Sequence, residues 1–576
     1  MARYRMTPPE RALSTVSRAV DLAWGHIGND FFAQRERGAP LDGRLPDLSF
    51  EGAQRRAAMG AKILELLDTV DDDTLPHDWA LSSKLVRYYA NSWSKDAEHY
   101  WVAIDPTCSL FYGPFAQTAY TGGYLFSSIN PTVAGFAFGK DGDGERYLTL
   151  LADITRMLWQ IHERTAGQAQ RGIRIHQPQL PAVRTLLQRL RSTAQAVYPV
   201  AAERLATLKD AGALAAEIAR RVEQGVLPAF DALISQLDAE YERLAPAEVG
   251  MDQLPGGRQA YAWLLRQHTT REFSAEQVHA AGHARMARIQ AEMAALREQL
   301  GFTGSAADFA DYLRRQPGAV ATSADDIGER MRRHKDGIEQ RFDEFFHQRS
   351  AYAYDLVRLD PALEGSMTWG FYHPPVPEEP RGLYHYNGGK LDSLAVIAAA
   401  SLVFHELVPG HHLHLTLQRD NEALLPLRRN ASVNAFNEAW AEYSATLTGE
   451  MGLYDDPHDR YGRLCMDAFL TCRLVVDTGM NALGWSWERA KDYLREHTLC
   501  AEAEIESDTL RYSCGIPAQS LAYKLGDEDL LRMRENVRAR MKERFDYRDF
   551  HAAILDAGAL PLPALEWHLD RVFPGA

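Results

Sequence analysis

Apolar residues recur along most of this chain at steps of three and four. In "ARMARIQAEMAALREQLG", Met286, Ile289, Met293, Leu296 and Leu300 form one stripe with charges opposite it, the pattern of a helix with one face against a core. Just upstream, "FSAEQVHAAG" offers Ser274 as N-cap with Gln277 three residues later, a capping-box spacing, and Phe273 in the staple position before it. Residues 180 to 245 read as two long helices broken near "VLPAF" by Pro228. The predicted fold class is mainly α, a multi-helical architecture.

Two stretches depart from this period. Residues 104 to 140 are dense in Gly, Pro, Ser and aromatic side chains and predict ordered loops near a functional surface. Within 367 to 389, Leu383 to Asn387 make a short β-prone run between Gly382 and Gly388, which predicts a small β-sheet beside the next helix. That helix begins in "SLAVIAAASLVFHELV", 393 to 408, the most apolar stretch of the chain. It runs into His405 and Glu406 and lacks flanking charge asymmetry, so it reads as a buried helix and not a membrane span.

Composition narrows the function classes. The 576 residues are 46% hydrophobic and 24% charged, the profile of a globular protein with a real core. With 78 acidic against 63 basic residues the net charge is -15, which argues against a nucleic-acid partner. Cys108, Cys465, Cys472, Cys500 and Cys514 are odd in number and lack CxxC spacing, which argues against a disulfide framework or a thiolate metal site and for a reducing compartment. The N-terminal "MARYRMTPPERALSTVSRAVDLAW" has no apolar signal core, so a cytoplasmic location without a membrane partner is expected.

The candidate chemistry lies in "FHELVPGHHLH", residues 404 to 414. His405 and Glu406 look like the start of a zinc-peptidase helix, but the residue one turn on is Pro409, and the next histidine is His411. On an undistorted helix His411 lies about 240° around the axis from His405, and His412 returns to the same face about 10 Å further along. Pro409 cannot donate to the carbonyl of residue 405 and collides with it, so the helix must bulge. If Val408, Pro409 and Gly410 loop outward, His411 drops into the ligand position, and Gly410 permits the close turn. His412 and His414 then read as packing or outer residues. A third donor is offered by "NAFNEAWAEYSATLTGE", where Glu438 and Glu442 stand one turn apart among Phe436, Trp440, Tyr443 and Leu447. One of the pair can bind metal while the other holds a histidine ligand from outside.

Together with "RYSCGIPAQSLAYKLG" at 511 to 526 and "YAWLLRQHTTREFSAEQVHAAGHARMARIQAEM" at 261 to 293, these motifs resemble the domain-of-unknown-function 885 family of bacterial proteins. That family is regarded as a set of candidate metallopeptidases similar to helical gluzincins of the thimet oligopeptidase and carboxypeptidase Taq type. The resemblance covers the C-terminal 320 residues or so and the remainder only by helical character. It implies His405, His411 and Glu438 as ligands of one Zn2+ per chain and Glu406 as general base. It also implies a gluzincin-like fold with a deep cleft and a small β-sheet beside the zinc helix. The family commonly has EGW where this chain has Glu438-Ala439-Trp440, and PGQA where it has Pro517-Ala518-Gln519-Ser520.

The expected organisation is an N-terminal helical part, 1 to 255, covering a catalytic part, 256 to 576. The expected activity is hydrolysis of amide bonds in short peptides, as a carboxypeptidase or oligopeptidase. Tyr523, favoured over Tyr512, would serve the oxyanion; Arg511 would take a substrate carboxylate, beside Gln519. His385 and Tyr386 would line the substrate path, with the "GLYHYN" strand pairing with an extended peptide. A zinc amidohydrolase acting on an acyl-amino acid and a non-catalytic helical peptide-binding protein are the alternatives. A homodimer is possible.

Overall fold

The computed structural model describes residues 8–575 apart from 30–33, 35–44, 105–112, 317–319, 360, 362–363, 365–368, 377–378, 390, 392–396 and 455. The chain is mainly helical, with one small sheet among the described residues. It divides into two compact units: Met1–Thr74, Val86–Tyr261 and Ser513–Pro517 form the first, and Leu75–Leu85, Ala262–Tyr512 and Ala518–Ala576 the second. A single cut at residue 255 does not describe this division, because two short segments belong to the unit remote in sequence. In the second unit His77 Nε2 lies 2.7 Å from His568 Nδ1 and its ring stacks on Trp567 at 5.4 Å. In the first, Thr121 Oγ1 donates to the Gly515 carbonyl at 3.5 Å. Sequence patterning carries no trace of such returns.

In the first unit, Asp143–Gln170 is the long helix, burying Tyr147, Leu150, Leu151, Ile154, Met157, Leu158 and Ile161 along one stripe. Pro228 does not break the chain into two long helices. Ala211–Arg221 continues through a wide π-turn, Val222–Val226, into Leu227–Ser235, with the Leu227 N–H donating to Val222 O. The wider turn makes room for the proline ring, and the actual break comes earlier, after Val197. Thr121–Ala134 is likewise a helix where loops were expected. Leu125, Phe126, Ile129 and Val133 are buried on it, and that packing overrides the weak helix propensity of its Gly and Ser residues. The rest of the loop expectation, at 105–112, lies outside the described residues.

The helices of the second unit that concern the site are α1 (Ala275–Gln299), α2 (Ala324–Ile338), α3 (Ala399–Glu406), α4 (His411–Asp420), α5 (Asn434–Glu450), α6 (Pro457–Ala482), α7 (Trp487–His497) and α8 (Ala522–Met541). α1 starts at the expected capping box of Ser274 and Gln277, and buries Met286, Ile289, Met293 and Leu296. Leu300 caps its far end, half-buried, and Phe273 in the staple position stays 36% exposed. Strands β1 (Tyr354–Arg358), β2 (Gly370–His373) and β3 (Gly382–Tyr386) form a sheet in the order β1-β3-β2. β1 runs parallel to β3 and β2 antiparallel to it. β3 is thus the central strand with both edges paired, which corrects the expectation that "GLYHYN" offers a free edge. Ala399 to His405 are all buried on α3, and no helix among the described residues is long and apolar enough to cross a membrane.

Candidate metal centre

α3 ends at Glu406 and α4 begins at His411, so the motif occupies two helices and not one bulged helix. Leu407 N–H closes the last turn of α3 on Val403 O at 2.9 Å, and His412 N–H opens α4 on Leu407 O at 3.1 Å. Between them the chain turns through a cis Val408–Pro409 bond. At Gly410 it presses onto the end of α3, where a Cβ would lie 1.8 Å from the His405 carbonyl oxygen. Only glycine fits there. The Pro409 carbonyl, with no partner in either helix, accepts from Trp440 Nε1 at 2.8 Å and from Ser444 Oγ at 3.2 Å, two residues one turn apart on α5. The outcome is the juxtaposition that a continuous helix forbids: the rings of His405 and His411 meet at 4.9 Å, nearly perpendicular.

The same helix, α5, brings in the carboxylate from another face. Glu438 Oε2 lies 3.6 Å from His405 Nε2 and 3.5 Å from His411 Nε2, and the three donor atoms fall within 4.8 Å of one another. Two ligands of a tetrahedral zinc at about 2.0–2.1 Å are separated by about 3.3 Å, so the spacing suits one ion. Glu438 Oε2 is buried without a hydrogen-bond partner, which leaves an acceptor aimed at the gap between the imidazoles. Two imidazoles and a carboxylate are a donor set that zinc takes, and these residues fit the metal.

Behind the donors lies a buried ionic network. His405 Nδ1 donates to Glu442 Oε1 at 2.9 Å; a carboxylate only accepts, so Nδ1 carries a hydrogen and Nε2 is the nitrogen left to face Glu438. Glu442 Oε2 accepts from Arg463 and from Lys524 Nζ, each at 3.1 Å. Lys524 also reaches Asp527 at 2.6 Å and Asp467 at 2.8 Å. Arg285 of α1 closes the set on Asp467 at 3.0 Å, Asp527 at 3.3 Å and Glu528 at 2.7 Å. Lys524 and Asp527 are wholly inaccessible to solvent, where a single unpaired charge would be severely destabilising. Burial alone would raise the Glu442 carboxyl, but Arg463 and Lys524 hold it well below its ordinary range. Burial also opposes charge on His405, yet Glu438 and Glu442 outweigh it and raise that imidazole to about 10. Glu438 is held low by the two imidazoles against its own desolvation. Without metal, a proton occupies the place of the cation.

Glu406 follows directly on His405, half-buried at the end of α3. Desolvation pushes its carboxyl up, the two histidines pull it back, and the Tyr372 backbone N–H of β2 donates to it. The Tyr523 ring lies parallel to His405 at 5.9 Å, and burial followed by Glu438 pushes its phenol up to about 12, so it keeps its proton. Tyr512 is fully buried one layer back, its hydroxyl accepting from Arg473 Nε at 2.7 Å, while the Arg473 guanidinium lies 4.8 Å from the Tyr523 ring. Gln519 contacts a ligand instead of an open path: its Nε2 is 3.4 Å from Glu438 Oε1, and its Oε1 accepts from Arg511 at 3.1 Å.

His385 and Tyr386 are neighbours on one strand and therefore point to opposite faces. His385 stacks on Phe371 at 5.0 Å, whereas the Tyr386 hydroxyl packs against Gly328 of α2. They do not line one surface. Tyr384, just before them on β3 and fully buried, is the strand residue whose environment Glu406 influences. His412 turns to the sheet, with Nδ1 2.9 Å from Tyr372 Oη and Nε2 3.2 Å from Tyr352 O, and has no part in the donor cluster. His414 Nε2 lies 3.2 Å from His411 Nδ1 and is its outer partner.

The departure at 517 to 520 also has a structural account. Ala518 adopts φ 66°, a left-handed conformation that favours glycine. Its N–H donates to both oxygens of buried Asp477 at 3.1 Å, and Ser520 Oγ donates to the same carboxylate at 2.7 Å. These bonds offset the strain at Ala518 and keep Gln519 on Glu438.

This combination defines a class: a helical protein with two imidazoles and a carboxylate converging at a helix break. The chain belongs to the family described as "Bacterial protein of unknown function (DUF885)", which matches residues 32–569. No curated protein matches it. Among solved structures it is similar to "the putative lipoprotein from Colwellia psychrerythraea", at 22% identity and TM-score 0.82, covering 98% of this chain and 99% of that one. It is also similar to "a putative lipoprotein of unknown function from Shewanella oneidensis", at 15% identity and TM-score 0.66, again over 98% and 99%. At these identities the likeness establishes the fold.

Two predictions follow from these contacts. The raised His405 gives the metal-free protein a stability increment that is fully present below its ordinary value of 6.5 and lost as pH rises through about 10. Urea unfolding of chelator-treated protein should show this alkaline loss, and zinc, by replacing the proton, should flatten it; an equally flat curve in metal-free protein would refute the coupling. At the other position, Ser520→Ala removes a hydrogen bond to a buried charge and should cost about 1.5–3 kcal/mol, whereas Ala518→Gly, measured in the same melts, should be neutral or stabilising by up to about 1 kcal/mol.

Proposed function

We propose that this protein is a zinc-dependent hydrolase of amide bonds in short peptides, acting as a carboxypeptidase or oligopeptidase. The observation that carries the reading is the position of Glu406: a half-buried carboxylate whose basicity desolvation raises, adjoining three convergent donors of a zinc-type set. His405, His411 and Glu438 would hold a zinc ion, which would supply Lewis acidity toward a carbonyl and lower the pKa of water. Glu406 then accepts the proton of the attacking water and delivers it to the leaving amine. The Tyr372 N–H fixes the orientation of that carboxylate. Tyr523, protonated and parallel to His405, is the donor suited to the developing oxyanion, with Arg473 and Arg511 maintaining positive potential around it. Tyr512 acts through Arg473 and not on substrate.

The substrate class is favoured by charge. Arg473 and Arg511 bear on the same tyrosine, with Asp508 the carboxylate whose charge reaches both. A substrate with a free carboxylate suits this surplus, which supports removal of C-terminal residues over internal cleavage. The strand-addition role passes from β3 to β2, an edge of the sheet beside Glu406.

Zinc-loaded protein should hydrolyse short peptides with a free C-terminus at least about tenfold better than their amidated counterparts, since an ion pair in a poorly solvated site is worth more than 1.4 kcal/mol. Equal rates would remove the charge argument, and no hydrolysis of either, nor of acyl-amino acids, by protein carrying stoichiometric zinc would remove the reading. Glu406→Gln keeps all three donors and should retain zinc while losing most of kcat. Tyr523→Phe should lower kcat about 100-fold with KM and zinc content little changed; if Tyr512→Phe does this instead, the two tyrosines exchange roles.

A further inference from the structure

On α1, away from the His405 cluster, His279 and His283 stand one turn apart with their Nε2 atoms 3.2 Å from each other. Their hydrogen bonds fix the protons. His279 Nδ1 lies 3.1 Å from Val475 O and 2.9 Å from Thr478 Oγ1. A carbonyl only accepts, and the Thr478 hydroxyl proton is committed to Leu474 O at 2.6 Å, so Nδ1 carries the hydrogen and donates to both. The Nε2 lone pair of His279 therefore faces His283 and accepts from its Nε2–H. On the far side of the pair, His283 Nδ1 lies 3.4 Å from Tyr493 Oη, a hydroxyl that can donate or accept.

We infer that His279 and His283 form a second metal site, selective for borderline divalent cations that favour imidazole, Zn2+ and Cu2+. Two nitrogens bound at about 2.0–2.1 Å to one ion are separated by about 2.9 Å at right angles and about 3.3 Å in a tetrahedron, and the pair lies between these values. When the ion binds, the hydrogen on His283 moves from Nε2 to Nδ1 and is donated to Tyr493; both rings stay neutral and no net proton is released. The site is built and not accidental on three counts. His279 is held from behind by α6, which approaches α1 closely at Gly282, where a Cβ would lie 2.8 Å from Val475 Cγ2. Trp485 walls the pair at 5.0 Å from His279, and Tyr493 of α7 meets His283 edge-on at 5.4 Å. Burial lowers His279 to about 4 and His283 below its ordinary value, so protons do not compete for either ring at neutral pH. Arg489, stacked on Trp485 at 4.0 Å, is the facing cation and weakens the site. His283 is exposed, which leaves the remaining coordination positions open to water or an incoming ligand.

The test counts metal in untagged, full-length protein stripped with chelator and titrated calorimetrically with Zn2+ at neutral pH. Wild type should bind two ions per chain, His283→Ala one and His411→Ala one. Copper titrated into His411→Ala should give an electron paramagnetic resonance spectrum with nitrogen hyperfine structure, lost when His283→Ala is added. A zinc count unchanged by His283→Ala overturns the proposal. Because His283 is exposed its replacement leaves the fold intact, as the far-ultraviolet circular dichroism should record. If the His405 cluster is not a metal site, wild type binds one ion, unaffected by His411→Ala and abolished by His283→Ala, so the two readings fail separately.

Discussion

A carbonyl oxygen that belongs to no helix holds this site together. Pro409 O is freed where α3 stops and α4 starts, and Trp440 and Ser444 take it over from the same helix that carries Glu438 and Glu442. One helix therefore fixes the break and supplies the carboxylates, and the positions of His405, His411 and Glu438 are set by a single packing relation. Had the indole N–H been absent, the buried carbonyl would lose its shorter bond, and the two histidines would lose their reason to face each other.

Charge imposes the second constraint. Glu442, Asp467 and Asp527 are balanced by Arg463, Lys524 and Arg285, three against three, in a region from which water is largely excluded. Such a cluster contributes little net stability compared with an apolar core, and its value is positional. It fixes the tautomer of His405, and it does so with groups on α1, α5, α6 and α8, so Nε2 is the end point of contacts from four helices. Among the described residues, the carboxylate left to meet a dication with the two histidines is then Glu438.

Local pattern made the helices and the donor set legible in the sequence. The α1 stripe and its capping box are short-range features, and so is the proline that forbids a continuous helix at 409. What pattern could not convey was long-range. Lys524, Asp467 and Arg463 carry the support of His405, and their only trace is charge embedded in apolar runs such as "LAYKLG" and "RLCMDAFL". His385 and Tyr386 were paired by adjacency, which in a strand is the arrangement that separates two side chains. Gln519, expected beside Arg511 at the substrate, follows a left-handed residue in a short turn before α8 and instead meets Glu438.

Ala518 and Ser520 have a consequence for the routes by which such a sequence can change. Replacing glycine by alanine at φ 66° is penalised on its own, whereas gaining a hydroxyl that reaches Asp477 is beneficial on either background. The order of the two substitutions therefore matters: serine first keeps every intermediate folded with Gln519 in place, while alanine first passes through a strained turn. Two residues that never touch the donors are thus tied through Asp477, the shared partner by which the hydroxyl at 520 offsets the cost of a side chain at 518.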